Sequence, residues 1–188
     1  MFFNLPTLFT WGRIIAIPLV VGVFYLGLED RLQNLLATLL FILVALTDWA
    51  DGYLARRLNM TSSFGAFLDP VADKFLICAA LLVLVQEQRV DALVALVIIG
   101  REIAISALRE WMAQIGASRS VAVSMLGKVK TVVQMVAIPF LLYHGTLFDV
   151  IDTAFWGTIL IRASAVLTIW SMVYYLRKAL PEIRAKVR

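Results

Sequence analysis

Four aspartates lie between two long apolar runs and carry the residue types most suited to chemistry, Asp48, Asp51, Asp69 and Asp73. On a helix, Asp48 and Asp51 are one turn apart, and Asp69 and Asp73 form a second such pair. The segment Asn59 to Gly65 is predicted to reverse the chain and to bring the two pairs face to face. Four carboxylates in a low-dielectric cavity cannot all stay ionised by themselves, so they require a cation.

The ligand chemistry indicates which cation this is. No histidine or cysteine accompanies the aspartates, and hard oxygen ligands favour Mg²⁺, Mn²⁺ or Ca²⁺ over zinc. Two such ions bridging a diphosphate would suit phosphoryl transfer. The alternative is a structural network in which the acids pair with Arg56, Arg57 and Lys74.

Small residues beside the first pair argue for a ligand instead of a network. Gly52 and Ala55 fall on the same helical stripe as Asp48, at the i+4 and i+7 positions. They let another group approach the backbone closely, which justifies a glycine that costs a helix about 1 kcal/mol relative to alanine. Pro70 is expected in the first turn of the next helix, where its missing N–H is tolerated.

The elements that hold these residues are predicted to be membrane helices. Of 188 residues 62% are hydrophobic and 16% charged, which is far more apolar than a soluble domain. We expect a single domain over residues 1–188, no cleaved signal peptide, and no binding of nucleic acid despite the net charge of +4. A spanning helix needs about 20 apolar residues, which divides the chain into six spans, near residues 6–28, 32–57, 67–86, 90–112, 124–145 and 152–177.

Charge sets the predicted orientation of these spans. The C-terminal segment is rich in lysine and arginine, so the positive-inside rule places it, and with an even number of spans both termini, in the cytoplasm. In this topology, the charged residues within the spans lie toward the cytoplasmic half of the membrane. Because a charge facing lipid is costly, we expect these groups to line one water-filled cavity that opens to the cytoplasm.

The spacing of the acidic and small residues resembles the signature of the CDP-alcohol phosphotransferase family, with each motif position present: Asp48, Asp51, Gly52, Ala55, Arg56, Gly65, Asp69 and Asp73. The resemblance implies a six-helix membrane enzyme, generally a homodimer, in which an acceptor hydroxyl displaces CMP from a CDP-linked alcohol with the help of two divalent ions, Mg²⁺ or Mn²⁺. It implies that the four aspartates bind metal and that Asp73 is also the general base. It further assigns the donor to Gly52, Ala55, Arg56, Gly65 and Asp69.

Further stretches extend the resemblance to bacterial members that act at the inner membrane: NLPTLFTWGRIIAIP, FGAFLDPVADK, REIAISALREWMA and SVAVSMLGKVKT. The donor implied is CDP-diacylglycerol, the acceptor is sn-glycerol 3-phosphate, and the products are CMP and a phosphatidyl-glycerol phosphate. The signature says little about the acceptor, so serine or inositol phosphate stays an alternative. A cation transporter is a second alternative, although its polar groups should occupy both halves of the membrane.

The acceptor phosphate needs cations, which later spans supply. The candidates are Arg109, Lys128, Lys130 and Arg162, since arginine suits bidentate phosphate contacts and lysine adds a point charge. Arg101 is expected to pair with its neighbour Glu102 or with another acid. For Lys128 and Lys130 the competing interpretation is that they extend to the cytoplasmic interface.

Overall fold

The computed structural model describes the backbone of residues 5–58, 63–116 and 125–186, and the side chains of residues 11–47, 68, 70–116, 125 and 127–184. Within these ranges the chain is all-α apart from one short hairpin. The helices are α1 (Leu5–Gly22), α2 (Asp30–Leu58), α3 (Ser63–Gln86), α4 (Ala92–Gln114), α5 (Met125–Tyr143) and α6 (Thr153–Lys186). A 3₁₀ turn, Val23–Tyr25, follows α1, and the strands β1 (Thr146–Leu147) and β2 (Ile151–Asp152) pair antiparallel between α5 and α6.

Each predicted span overlaps one of these helices, so the prediction of an all-α chain is confirmed. The main differences lie at the ends. Helix α6 continues to Lys186, which makes most of the basic C-terminal segment helical. The hairpin was not predicted, because strands of two residues carry too little sequence pattern to be recognised.

The expectation for Pro70 was wrong. Helix α3 begins at Ser63 and contains Pro70 in its interior, so this proline lies well beyond the first turn. Proline has no N–H, and the carbonyl one turn earlier therefore receives no bond from it. The helix continues through Pro70 all the same, and Pro70 itself lines the cavity described below.

Local side-chain contacts explain where two of the helices begin. The Asp91 carboxylate accepts a hydrogen bond from the Leu93 amide at 2.8 Å and caps α4. At the start of α6, Asp152 accepts one from the Phe155 amide at 3.0 Å. Each aspartate satisfies an amide that has no partner within its own helix.

The helices pack around one main apolar core. Helix α1 contacts α2 and α3, α5 packs along α6, and α4 also packs on α6. Phe41, Leu81, Ile98 and Leu142 belong to this core and are almost completely buried. Gly157 of α6 permits the close approach of α5, because a Cβ at this position would lie 2.8 Å from Leu141 Cγ.

Arg89 joins three elements at one end of the bundle. One of its terminal nitrogens, Nη1, donates to the carbonyl oxygens of Leu141 and Leu142 at the end of α5, at 3.2 and 2.8 Å. The other, Nη2, donates to Asn34 Oδ1 at 2.8 Å. Arg89 therefore satisfies carbonyls that a helix end leaves without a partner. His144 lies at this same end and lines a separate surface depression.

The outer surface is strongly apolar. Large hydrophobic side chains such as Ile15, Leu43, Leu96 and Val166 are more than half exposed, and exposed apolar surface on this scale marks contact with lipid or protein. Within the described residues, two stretches are long and apolar enough to cross a membrane, Asp30–Thr47 and Thr153–Arg184. The remaining predicted spans stay predictions.

Candidate active site

Three helices enclose a cavity of about 210 Å³ at the end of the bundle opposite Arg89. It is lined by Pro70, Asp73 and Lys74 of α3, by Arg101, Glu102 and Arg109 of α4, and by Gly127, Lys130 and Thr131 of α5. The cavity thus brings together the predicted general base and two of the four predicted acceptor ligands, from segments far apart in sequence.

The described side chains of the cavity carry an excess of positive charge. Among them, four are cationic and two are acidic, which is a formal surplus of two positive charges within the described lining. In a low-dielectric bundle such a surplus favours the entry of an anion. The cavity is therefore chemically suited to a phosphate that arrives close to Asp73.

Glu102 neutralises part of that charge. Its Oε1 forms an ion pair with the Nζ of Lys130, whose residue is only 2% exposed. The same oxygen lies 3.5 Å from Nη1 of Arg101. The expected pairing of Arg101 with Glu102 is thus present, and the burial of Lys130 excludes the interpretation that it extends to the interface.

Arg101 is also held from α6. Its Nη2 donates to Ser171 Oγ at 3.0 Å, and Ser171 Oγ donates in turn to the Thr168 carbonyl at 2.9 Å. Arg101 is therefore restrained on both sides, by Glu102 and by α6. Restraint of this kind keeps a guanidinium fork in one orientation, as phosphate recognition requires.

The other two acceptor candidates do not line this cavity. Lys128 precedes Lys130 by two residues on α5 and is exposed, and Arg162 is exposed on α6. On a helix, residues two apart point in different directions, which explains why Lys130 is buried and Lys128 is not.

The donor residues lie on the backbone of two consecutive helices. Asp48, Asp51, Gly52, Ala55 and Arg56 occupy the last part of α2, whereas Gly65 and Asp69 precede Asp73 in α3. Five Cα–Cα steps join Leu58 to Ser63, so the ends of these helices lie within about 18 Å of each other. Except for Asp73, the side chains of all these residues lie outside the described set, as does the segment from Asn59 to Ser62.

Most of the predicted metal ligands also lie outside the described side chains. Among the side chains that the structure describes, no group of three histidine, cysteine or acidic residues is placed to hold an ion. Three of the four predicted ligands are not in that set. The one that is, Asp73, is a half-buried carboxylate at the wall of the cavity, which fits an oxygen ligand to a hard cation.

Sequence reasoning missed two partners of the arginines, Ser171 and Tyr175. Both lie on α6 about 70 residues after their partners on α4, and no spacing rule links such distant positions. It also missed that Glu102 pairs with Lys130, 28 residues away. The only sign of this pair in the sequence was that Glu102 directly follows Arg101 within an apolar run.

Comparison with known proteins identifies the family of the chain. The family model for CDP-alcohol phosphatidyltransferase matches residues 3–170. The chain belongs to this family, and the residues that match the family's signature occupy the last part of α2 and the first part of α3.

Among curated proteins, the chain is similar to the CDP-diacylglycerol–glycerol-3-phosphate 3-phosphatidyltransferase of Salmonella choleraesuis strain SC-B67, with 50% identity that covers 95% of this chain and 96% of that protein. The protein of the same name from Escherichia coli strain K12 shows the same identity and coverage. The resemblance thus extends over nearly the whole of both chains.

Proposed function

We propose that this chain transfers the phosphatidyl group of CDP-diacylglycerol to sn-glycerol 3-phosphate, which gives phosphatidylglycerophosphate and CMP. The observation that carries the proposal is that Asp73 shares one cavity with Arg109 and Lys130. A base and a cationic anchor at one site match an acceptor that bears a hydroxyl and a phosphate. The names of the curated relatives supply the same donor and acceptor.

The donor half rests on the signature residues. Asp48, Asp51, Asp69 and Asp73 would hold two divalent ions, Mg²⁺ or Mn²⁺. Bound there, such ions neutralise charge on the donor diphosphate and on the departing CMP. Gly52, Ala55 and Gly65 leave room for the nucleotide beside the two helices, and Arg56 contacts the donor phosphates or orients Asp69.

Asp73 acts as the general base. Its carboxylate accepts the proton of the C1 hydroxyl of glycerol 3-phosphate while that oxygen attacks the phosphorus that bears diacylglycerol. The bond between that phosphorus and the CMP oxygen breaks, and CMP leaves. The position of Asp73 supports this role, because it lines the same cavity as Arg109 and Lys130, which we propose hold the acceptor.

Arg109 and Lys130 anchor the acceptor phosphate. Arg109 offers a planar fork of hydrogen-bond donors. Lys130 offers a point charge, and its ammonium group can leave Glu102 to pair with the phosphate. Fixing the phosphate orients the far hydroxyl toward Asp73, and such positioning lowers the entropic part of the barrier. Lys128 and Arg162 contribute to the field from outside the cavity.

The lipid donor requires that the site lie at a membrane surface. The apolar exterior and the two long apolar helices support a membrane protein. We propose that it is a multi-pass protein of a bacterial inner membrane, that all six helices cross this membrane, that both termini and the cavity face the cytoplasm, and that two chains form a homodimer.

Release of CMP from purified protein tests this function. In detergent with CDP-diacylglycerol and Mg²⁺, we expect CMP only when glycerol 3-phosphate is added, and none with serine or inositol phosphate. Chelation with EDTA should stop the release and added Mg²⁺ or Mn²⁺ should restore it. CMP release with a different acceptor would change the assigned substrate. No release with any acceptor would favour the transporter.

A further inference from the structure

Tyr175 does not line the cavity but contacts both of its arginines. The residue is fully buried on α6. Its ring centroid is 5.6 Å from Cζ of Arg101 and 5.2 Å from Cζ of Arg109. Both distances are within the range of a cation–π interaction, which strengthens when the partners are removed from water. One aromatic ring therefore contacts both guanidinium groups.

The hydroxyl of Tyr175 adds a directional contact. Nη2 of Arg109 donates to this oxygen at 3.2 Å. One turn earlier on the same helix, Ser171 accepts from Arg101 at 3.0 Å. Helix α6 thus holds both arginines of α4 by a matched pair of hydrogen bonds, although neither Tyr175 nor Ser171 lines the cavity.

These arginines have donors that the described residues do not use. The buried Nε atoms of Arg101 and Arg109 both lack a hydrogen-bond partner among the described residues. Buried donors without partners are costly, and two guanidinium groups placed close together also repel each other. An electron-rich ring close to both guanidinium groups offsets part of that repulsion while leaving donors available for an anion.

We propose that Tyr175 is a positioning residue for the acceptor phosphate, because its ring and hydroxyl hold Arg101 and Arg109 as a preorganised anion site. The inference rests on the proposed function and deepens it by adding a residue that never touches substrate. We expect Tyr175 to affect binding of the acceptor and not of the donor, since Tyr175 contacts Arg101 and Arg109.

Three variants and three ligands test the proposal. Tyr175→Phe removes only the hydroxyl, Tyr175→Leu also removes the ring, and Tyr174→Phe is a matched control. Tyr174 is the neighbouring residue on α6, and its ring contacts Lys178 and not the arginines. The quantities to measure are kcat, the KM values for glycerol 3-phosphate and CDP-diacylglycerol, the inhibition constant of inorganic phosphate, and the thermal unfolding temperature.

We expect Tyr175→Phe to raise the KM for glycerol 3-phosphate about three- to tenfold, which is the loss of one hydrogen bond. Tyr175→Leu should raise it further, and the inhibition constant of phosphate should rise in parallel. The KM for CDP-diacylglycerol should stay within about twofold, as should every constant of Tyr174→Phe.

Other outcomes overturn the inference. If Tyr175→Phe leaves the acceptor KM unchanged, or if Tyr175→Leu lowers kcat and affects donor and acceptor equally, Tyr175 serves only to pack α6. These results remain separate from the proposed function, because the unsubstituted protein must first release CMP with glycerol 3-phosphate. Failure of that reaction refutes the function, whereas failure of the variants refutes only the role of Tyr175.

Discussion

Lys130 of α5 and Glu102 of α4 form a buried ion pair at the wall of the cavity. Removing one member of such a pair leaves a desolvated charge, so the two members need not be equally important. Glu102 has a second cationic neighbour in Arg101. Loss of Lys130 therefore leaves Glu102 neutralised, whereas loss of Glu102 deprives two buried cations of their carboxylate.

A double-mutant cycle tests this asymmetry. We expect Glu102→Gln to lower the free energy of unfolding by up to about 3 kcal/mol and Lys130→Met to lower it by less. The double variant should lose less stability than the sum of the two single variants, because Lys130, one of the two cations that Glu102→Gln leaves without a carboxylate, is then absent. The measurement is denaturant unfolding in detergent, and strictly additive losses would contradict the pairing.

Asp73→Asn tests the general base. The amide keeps the size of the carboxylate but cannot accept the proton, so turnover should fall by about 10² to 10⁴. Donor binding and the unfolding temperature should change little. Asp91→Asn is the control, because this residue caps α4 at its other end and asparagine caps a helix equally well. Near-normal turnover of Asp73→Asn would remove Asp73 from the mechanism.

Arg109→Ala and Arg162→Ala together locate the acceptor phosphate. Arg109 lines the cavity and Arg162 is exposed outside it. A hydrogen bond to a charged group contributes about 1.5–3 kcal/mol, so Arg109→Ala should raise the KM for glycerol 3-phosphate at least about tenfold. Arg162→Ala should leave it within about twofold. The reverse order in steady-state kinetics would place the phosphate outside this cavity.

Gly157→Ala tests the close packing of α5 on α6. The added methyl group would lie 2.8 Å from Leu141 Cγ and 3.2 Å from the Leu141 backbone nitrogen. Since a backbone atom cannot move aside easily, we expect a loss of about 1–3 kcal/mol of stability.

Gly100→Ala is the matched control, and we expect it to raise the unfolding temperature that Gly157→Ala lowers. Gly100 lies inside α4, and among the described residues no atom beyond its chain neighbours and its own helix backbone comes within 4 Å of an added Cβ. Alanine there should raise stability by up to about 1 kcal/mol through helix propensity. If both alanine variants shift the unfolding temperature in the same direction, the contact between Gly157 and Leu141 does not limit the packing.

The positions of the helices and the identity of the acidic signature were predictable from the sequence. Apolar runs of spanning length report directly on local structure, and the spacing between Asp48 and Asp73 is a property of consecutive residues. Asp73, Arg109 and Lys130 could also be proposed as site residues, because an ionisable side chain within an apolar run is functional more often than not.

The tertiary structure alone decided which of the predicted cations share the cavity with Asp73. Lys130 is buried against Glu102 while Lys128 is exposed, and Arg162 faces outward while Tyr175, on the same helix, contacts Arg101 and Arg109. These relationships depend on how α4, α5 and α6 are rotated about their axes. That rotation follows from packing between helices, such as the contact of Gly157 with Leu141, and no local sequence pattern encodes it.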